Sequence, residues 1–180
     1  MAALRAYALP LLLGLLGGAA VLLAWPSANA SAQPVDAPAM GFEGGGPWHN
    51  SPPIALQQLR GQVVLVEFWT YSCSNCLNVA PYVHRWNERY AARGLKVIGV
   101  HTPEFAYEGL PGNVRKAIAR LDVTWPVVQD NQYRIWNAWG NRFWPALYLL
   151  DRHGRVAYRH YGEGDYARTE SEIQRLLASP

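Results

Sequence analysis

The position of the only two cysteines, Cys73 and Cys76, limits the fold and the chemistry of this 180-residue chain more than any other feature. The pair follows an apolar run at 62–69, whose continuous hydrophobic character is typical of a central strand buried on both faces. It precedes a segment at 75–92 in which apolar residues recur at helical spacing, interrupted by Pro81. We therefore expect a strand-to-helix junction at which both sulfurs lie on one helix face within disulfide reach.

The placement of the cysteine pair indicates redox chemistry. A helix N-terminus offers unpaired N–H groups and the positive end of the helix dipole, which make a nearby cysteine nucleophilic. Cys73 lies nearer that end and is predicted to attack, whereas Cys76, one turn inside, is predicted to resolve the mixed disulfide. A structural disulfide is a weaker alternative, because so short a loop adds little stability. The five histidines are scattered, so we predict no metal and no cofactor beyond a Cys73–Cys76 disulfide.

Glu67 is a carboxylate inside the apolar run, six residues ahead of Cys73. Burial of such a group is costly unless it is paired or protonated, and burial raises its pKa. We predict that Glu67 points under the start of the helix, where it takes and returns the proton of Cys76 during exchange. The alternative is an acid that pairs with an arginine at a sheet edge.

The remaining apolar segments alternate between strand and helix patterns, which predicts an α/β fold with one mixed sheet flanked by helices. The first two strands are expected to pair in parallel, and the turn at 151–154 predicts a hairpin. The last helix is expected to start at Thr169, with Glu172 completing a capping box. The predicted segments are strands at 96–100, 146–150 and 155–159, and helices at 113–121, 132–138 and 170–178.

The first 30 residues carry the pattern of an export signal, with one early charge, an apolar run at about 6–25 and a small-x-small sequence at 28–30. The run is also long enough to span a bilayer if it is not cleaved. Residues 1–30 are therefore predicted to be a signal peptide or a membrane anchor. Both place the remaining chain outside the cytoplasm, in the periplasm or cell envelope, where disulfide chemistry is possible.

Composition predicts a packed domain after a flexible leader. Residues 31–47 are rich in Ala, Pro and Gly and are predicted to form the leader, and 48–180 to form the domain. Half of the residues are apolar and 16% are charged, which is the balance of a globular protein. The net charge of +3 is too small for a nucleic-acid binder, so nucleic acid is not expected as a partner.

The sequence around the cysteines, VLVEFWTYSCSNCLNVAPYV at 64–83, resembles the active site of the thioredoxin superfamily. It is most similar to exported thioredoxin-like domains of the DipZ and TlpA type, which carry Trp-Thr-Tyr-Ser-Cys-x-Asn-Cys. The segments 101–105, 141–146 and 162–166 are similar to further motifs of the DipZ-type domain. The similarity extends over about 48–177, and the chain is identified as a member of this group of thiol:disulfide interchange proteins.

The resemblance implies a thioredoxin fold with an added N-terminal β hairpin, and thiol:disulfide oxidoreductase activity. It implies that Pro145 is a cis-proline facing the disulfide, beside backbone that pairs with a bound substrate strand. Trp144 is bulky and adjacent to this proline, so we expect it to contact the substrate and to restrict access. Glu67 falls where thioredoxin has a buried Asp.

Four neighbours of Cys73 are also expected to shape the site. Ser74 and Asn75 replace the Gly-Pro of thioredoxin, at positions that tune the reduction potential in this superfamily. Tyr71 and Ser72 lie just ahead of the nucleophile and are expected to contact the substrate. These departures from thioredoxin leave both directions of electron flow open.

The predicted function is that of an extracytoplasmic reductase of protein disulfides, with apocytochrome c, in cytochrome c maturation, as one candidate substrate. DipZ-type proteins also carry a membrane electron-transfer domain, whereas this chain has room only for its N-terminal segment. We therefore expect a separate membrane thiol-electron transporter as the donor. The alternatives are a disulfide-donating oxidase of the same fold and a copper-handling chaperone that holds the ion with both thiolates.

Overall fold

The computed structural model describes residues 39–179, which form a six-stranded sheet with helices on both faces. The strands are β1 (Trp48–His49), β2 (Val63–Trp69), β3 (Leu95–His101), β4 (Val127–Gln129), β5 (Ala146–Leu150) and β6 (Val156–Tyr161). The helices are α1 (Ser74–Tyr90), α2 (Pro111–Arg120), α3 (Arg134–Ala138) and α4 (Tyr166–Ala178), with 3-10 helices at Leu56–Leu59, Ala91–Arg93 and Ala106–Gly109. Across the sheet the order is β1-β4-β3-β2-β5-β6, which confirms the predicted α/β class.

Strand β2 lies in the middle of the sheet because its side chains can be buried on both faces, and all seven of its residues are buried. It pairs in parallel with β3, as the strand-helix-strand order predicts, and antiparallel with β5. The register places Glu67 beside Gly99 of β3 and Leu147 of β5. This acid is therefore in the interior of the sheet, away from either edge.

Alternate residues of β2 face two separate cores. Leu65 and Trp69 belong to the core covered by α1, α2 and α4, whereas Phe68 belongs to the core covered by α3. Glu67 follows the same alternation as Leu65 and Trp69. The acid is therefore on the side of the sheet that α1, the helix carrying the cysteine pair, covers.

The N-terminal β extension is the single strand β1, which pairs antiparallel with β4 at one edge of the sheet. Residues 39–62 contain no second strand, so the expected hairpin does not form in this described segment. The physical reason lies directly after β1, where Pro52 and Pro53 have no N–H group to donate to a neighbouring strand.

Residues 39–47 pack against the domain, which differs from the flexible leader that their composition predicts. Phe42 is buried, and its ring lies 5.8 Å from that of Trp48 and 6.1 Å from that of Trp139. The Gly46 N–H donates a hydrogen bond to the Gln129 carbonyl group at 2.8 Å. One buried aromatic side chain thus anchors a segment whose other residues favour flexibility.

The predicted signal peptide or anchor, and the first part of the predicted leader, lie outside the described residues. Within 39–179, none of the helices has the length and apolar character needed to cross a membrane.

Helix α4 begins at Tyr166, three residues before the predicted start. Its N-cap is Asp165, which has a φ of 48° and makes no side-chain capping bond. Thr169 is buried inside the helix, and its hydroxyl group lies 3.2 Å from that of Tyr158 on β6. The predicted capping box is therefore wrong, because this hydroxyl group contacts the sheet and not the helix end.

Candidate active site

The cysteine pair lies at the N-terminus of α1, as its position in the sequence predicts. Cys73 is the N-cap residue, and its Sγ accepts a hydrogen bond from the Cys76 backbone N–H at 3.4 Å. Cys73 is half-buried, whereas Cys76 is only 2% exposed. The two sulfurs are not joined by a disulfide in the structure. A partner can thus reach Cys73 but not Cys76.

The surroundings of Cys76 disfavour its thiolate. Burial raises the pKa of the Cys76 thiol strongly, and its hydrogen bond with Cys73 raises it further. A negative charge on Glu67 adds a smaller increase. Cys76 therefore stays protonated at neutral pH and needs a base before it can attack a disulfide.

Glu67 is a buried carboxyl group of β2. Its side chain is 2% exposed, and burial raises its pKa from 4.5 to about 8. Among residues 39–179 no side chain forms a hydrogen bond or an ion pair with its carboxyl group, so the alternative of an arginine partner at a sheet edge is not found. Its charge acts on Cys76, and it lies on the side of the sheet covered by α1. A carboxyl group with a pKa near 8 can exchange protons near neutral pH.

The Trp144–Pro145 peptide bond is cis, as the resemblance implies. Pro145 precedes Ala146, which pairs with Phe68 near the end of β2. The proline is therefore at the sheet end from which the chain continues to Cys73. A second cis peptide bond, Gly46–Pro47, was not anticipated from the sequence.

Trp144 is half-buried and held by the domain itself. Its indole N–H donates to the Thr102 carbonyl group at 3.0 Å. Its ring centroid lies 4.1 Å from that of Trp136, which is buried. Trp144 thus forms a fixed wall next to the cis-proline.

The residues flanking Cys73 differ in their contacts. Tyr71 stacks on the buried His101, with ring centroids 5.6 Å apart and planes at 19°, and its hydroxyl group donates to the Tyr107 carbonyl at 3.2 Å. Ser72 is exposed, with its Oγ 3.2 Å from the Tyr107 hydroxyl group. The predicted redox-tuning residues, Ser74 and Asn75, are exposed on the first turn of α1.

Glu108 is a site residue that the sequence did not reveal. It is 0% exposed and accepts hydrogen bonds from the backbone N–H groups of Glu104 (2.6 Å) and Phe105 (2.9 Å), and from the Ser72 hydroxyl group. Burial opposes its ionisation, but the hydrogen bonds from Ser72 and from the Phe105 backbone outweigh burial, and the pKa of Glu108 lies below its usual value. Nothing in the sequence distinguishes it from Glu104, the other acid of the same loop.

His101 is neutral at the base of this loop. Burial is the main reason that its pKa falls to about 4. Its Nε2 lies 3.3 Å from the Thr70 hydroxyl group, whereas its buried Nδ1 has no hydrogen-bond partner among the described residues. Residues 39–179 contain no group of three or more His, Cys, Asp or Glu side chains arranged to hold a metal ion.

A cysteine pair at a helix N-terminus and a cis-proline at the same end of a sheet of this order define the class of thioredoxin-like proteins. The chain belongs to the Redoxin family, which matches residues 49–177. It is 50% identical over 133 residues to the Protein DipZ of Mycobacterium tuberculosis, covering 72% of this chain and 19% of DipZ. The chain thus spans about a fifth of that relative.

Two further proteins show how far the similarity extends. The thiol-disulfide oxidoreductase YkuV of Bacillus subtilis is 28% identical over 131 residues, which are 73% of this chain and 88% of YkuV. The crystal structure of a thiol-disulfide isomerase from Corynebacterium glutamicum superposes with a TM-score of 0.68 at 22% identity, covering 83% of this chain and 99% of that one. The predicted thioredoxin fold and family are thereby confirmed.

Proposed function

We propose that this protein is an extracytoplasmic thiol:disulfide oxidoreductase that reduces protein disulfides. One observation carries the proposal: the two sulfurs of the pair are unequal. Cys73 is accessible at the helix N-terminus, whereas Cys76 is buried, protonated and under the influence of Glu67. This division suits a pair in which one thiol attacks a partner and the other releases it.

The exchange balances without any further reactant. The Cys73 thiolate attacks one sulfur of the substrate disulfide, a mixed disulfide forms, and the second substrate sulfur leaves as a thiolate. Cys76 then gives its proton to Glu67 and attacks Cys73 Sγ, which breaks the mixed disulfide and releases the first substrate sulfur. Two electrons pass to the substrate, both substrate thiolates take up protons, and the pair ends as a Cys73–Cys76 disulfide.

Glu67 limits the resolving step through its own charge state. Because its pKa is about 8, only a minor fraction is carboxylate at pH 7, and this fraction grows as the pH rises. Resolution is therefore expected to accelerate with pH through this range. In the reverse direction the same group returns the proton to Cys76.

Exposed aromatic side chains next to the nucleophile support a protein substrate. Phe105 and Tyr107 are 52% and 49% exposed, and their rings stack with centroids 5.6 Å apart. The Tyr107 hydroxyl group is 3.2 Å from Ser72 Oγ, so the stack adjoins the residue before Cys73. Such rings offer apolar contact area to a partner, as interface aromatics do.

The electrons must come from another molecule or domain, since the sequence has only two cysteines and the oxidised pair cannot re-reduce itself. We assign this role to a separate thiol-electron transporter in the membrane, which delivers the electrons to the side outside the cytoplasm. The export pattern of residues 1–30 supports that location, and fractionation of cells expressing the full chain tests it.

A disulfide-donating oxidase is the second candidate, because the hydrogen bond from the Cys76 N–H to Cys73 Sγ stabilises the reduced form. The equilibrium reduction potential of the pair against glutathione or dithiothreitol buffers separates the two. A reductase is expected near or below about −250 mV, and a value near about −120 mV would reverse the proposal. Cys76→Ser should accumulate the mixed disulfide with a protein substrate, whereas Cys73→Ser should form none.

A further inference from the structure

Glu108 joins two loops that are distant in the sequence. Oε1 accepts a hydrogen bond from the Ser72 hydroxyl group, whereas Oε2 accepts the backbone N–H groups of Glu104 and Phe105. Both oxygens of one fully buried carboxylate are therefore occupied, one by the residue preceding Cys73 and one by the loop after β3.

The rest of the segment before Cys73 is tied to the same loop. Tyr71 donates to the Tyr107 carbonyl group and stacks on His101, and the Thr70 hydroxyl group contacts the His101 ring. Every residue from 70 to 72 thus has a partner between 101 and 108, and Glu108 provides the charged contact among them. Hydrogen bonds to an ionised acceptor are the strongest of these.

We propose that Glu108 is a positioning residue for the exchange reaction, holding Ser72 so that Cys73 Sγ stays aligned with the N–H groups at the start of α1. It does not touch the cysteine sulfurs, and it acts through the segment before Cys73, mainly through Ser72. The inference rests on the proposed role of Cys73 as the nucleophile. Without the carboxylate, the segment before Cys73 loses its charged contact with the loop after β3. We expect Cys73 Sγ then to move away from the Cys76 N–H group, whose hydrogen bond it accepts at 3.4 Å.

Two substitutions of Glu108 separate the effect of its hydrogen bonds from the effect of its charge. Glu108→Gln removes the charge but keeps the contacts, since its carbonyl oxygen can accept the two backbone N–H groups while its NH₂ donates to the Ser72 hydroxyl group. Glu108→Ala removes both. Glu104→Gln is the matched control, because it neutralises an exposed acid in the same loop.

The test is the rate at which iodoacetamide alkylates Cys73 in the reduced full chain between pH 5 and pH 9, measured by mass spectrometry of the Cys73 peptide. For Glu108→Ala we expect at least a threefold slower reaction at pH 7 and a midpoint moved to higher pH. For Glu108→Gln we expect an alkylation rate within twofold of wild type and a midpoint that is unmoved or lower. Glu104→Gln is expected to match wild type in both. The proposal is overturned if Glu108→Ala follows the wild-type profile. It is also overturned if Glu108→Ala and Glu108→Gln move the midpoint equally to lower pH, because loss of the negative charge alone explains that result.

If Glu108→Ala does not fold, Ser72→Ala takes its place, since it removes only the hydroxyl group that links Glu108 to the residue before Cys73. The same direction with a smaller change is expected, and an unchanged profile overturns the proposal. Alkylation does not depend on the direction of electron flow. The reduction potential therefore tests the proposed function separately, and either idea can fail while the other stands.

Discussion

Two buried carboxyl groups lie near the cysteine pair, one in the centre of strand β2 and one in the loop after β3. At neutral pH the first is mostly protonated and the second is ionised. Glu67 is 2% exposed, has no partner among the described side chains, and has a pKa raised by burial to about 8. Glu108 is 0% exposed but receives three hydrogen bonds, and its pKa is lowered. Burial alone therefore does not decide ionisation; the donors around the carboxyl group do. One acid can exchange a proton near neutral pH, and the other keeps its charge.

The largest expected effect is the pH dependence of stability that Glu67 causes. Its pKa is higher in the folded than in the unfolded chain, so the folded state keeps a proton that the unfolded state has released, and stability falls as the pH rises from 4.5 towards 8. Each pKa unit is worth about 1.4 kcal/mol, so the linked loss is at most about 5 kcal/mol.

Urea unfolding of wild type and Glu67→Gln at several pH values between 4 and 9 measures this loss, because the other titrating groups cancel in the difference. If the difference in unfolding free energy between the two proteins stays constant with pH, Glu67 has the same pKa in the folded and unfolded chain, and its contrast with Glu108 is wrong.

Glu108 should show the opposite sign. Its lowered pKa means that the carboxylate stabilises the fold above the unfolded value of 4.5, and that this stability is lost as the pH falls through the folded value. Glu108→Ala leaves the N–H groups of Glu104 and Phe105 without an acceptor and is expected to cost about 2–4 kcal/mol at pH 7, and less in acid. Denaturant unfolding of wild type and Glu108→Ala measures this loss of stability at pH 7 and at pH 3.

The control is again the exposed neighbour, since Glu104→Ala is expected to change the free energy of unfolding by less than about 0.5 kcal/mol. Equal losses for the two alanine variants would mean that the buried carboxylate contributes no more than a surface acid.

The third effect is kinetic. Glu67→Gln has no carboxylate to accept the Cys76 proton, so resolution of the mixed disulfide is expected to slow by about 10- to 100-fold near pH 8 and to lose its rise with pH. Rapid acid quenching of a single turnover, followed by mass spectrometry, measures this step. Alkylation of Cys73 serves as the control and should match wild type. Equal resolution rates for the two proteins from pH 6 to 9 would remove Glu67 from the mechanism.

The smallest effect concerns a neutral contact between the same two loops. Tyr71→Phe loses the hydrogen bond to the Tyr107 carbonyl group but keeps the ring on His101, so it should cost no more than about 1 kcal/mol, independent of pH below 9. Thermal or urea unfolding measures it. A cost as large as that of Glu108→Ala would show that the charged contact has no special importance.

The sequence predicts the parts of the fold and site that local patterns encode. The apolar run before Cys73 predicts β2, and a single acid within it predicts Glu67 as a buried group. The C-x-x-C spacing at a strand-to-helix junction predicts the place of the cysteines on α1. The bounds of α1, α2 and α3 lie within two residues of those predicted, because their apolar residues recur at helical spacing.

The features that the sequence did not reveal depend on contacts between distant residues. Glu108 becomes part of the site only because the loop after β3 folds against Ser72, 36 residues earlier. The start of α4 was misplaced because a turn with positive φ at Asp165 and the contact between Thr169 and Tyr158 leave no local pattern. Phe42 also packs against the ring of Trp139, which lies far along the chain.

The two edge strands of the sheet affect how the protein behaves at high concentration. Within residues 39–179, the outer strands are β1, which has only two residues and leads into Pro52 and Pro53, and β6, which carries Arg159. Short strands, prolines and charged side chains all discourage a foreign strand from adding to a sheet edge. This domain is therefore expected to resist sheet-to-sheet aggregation at high concentration.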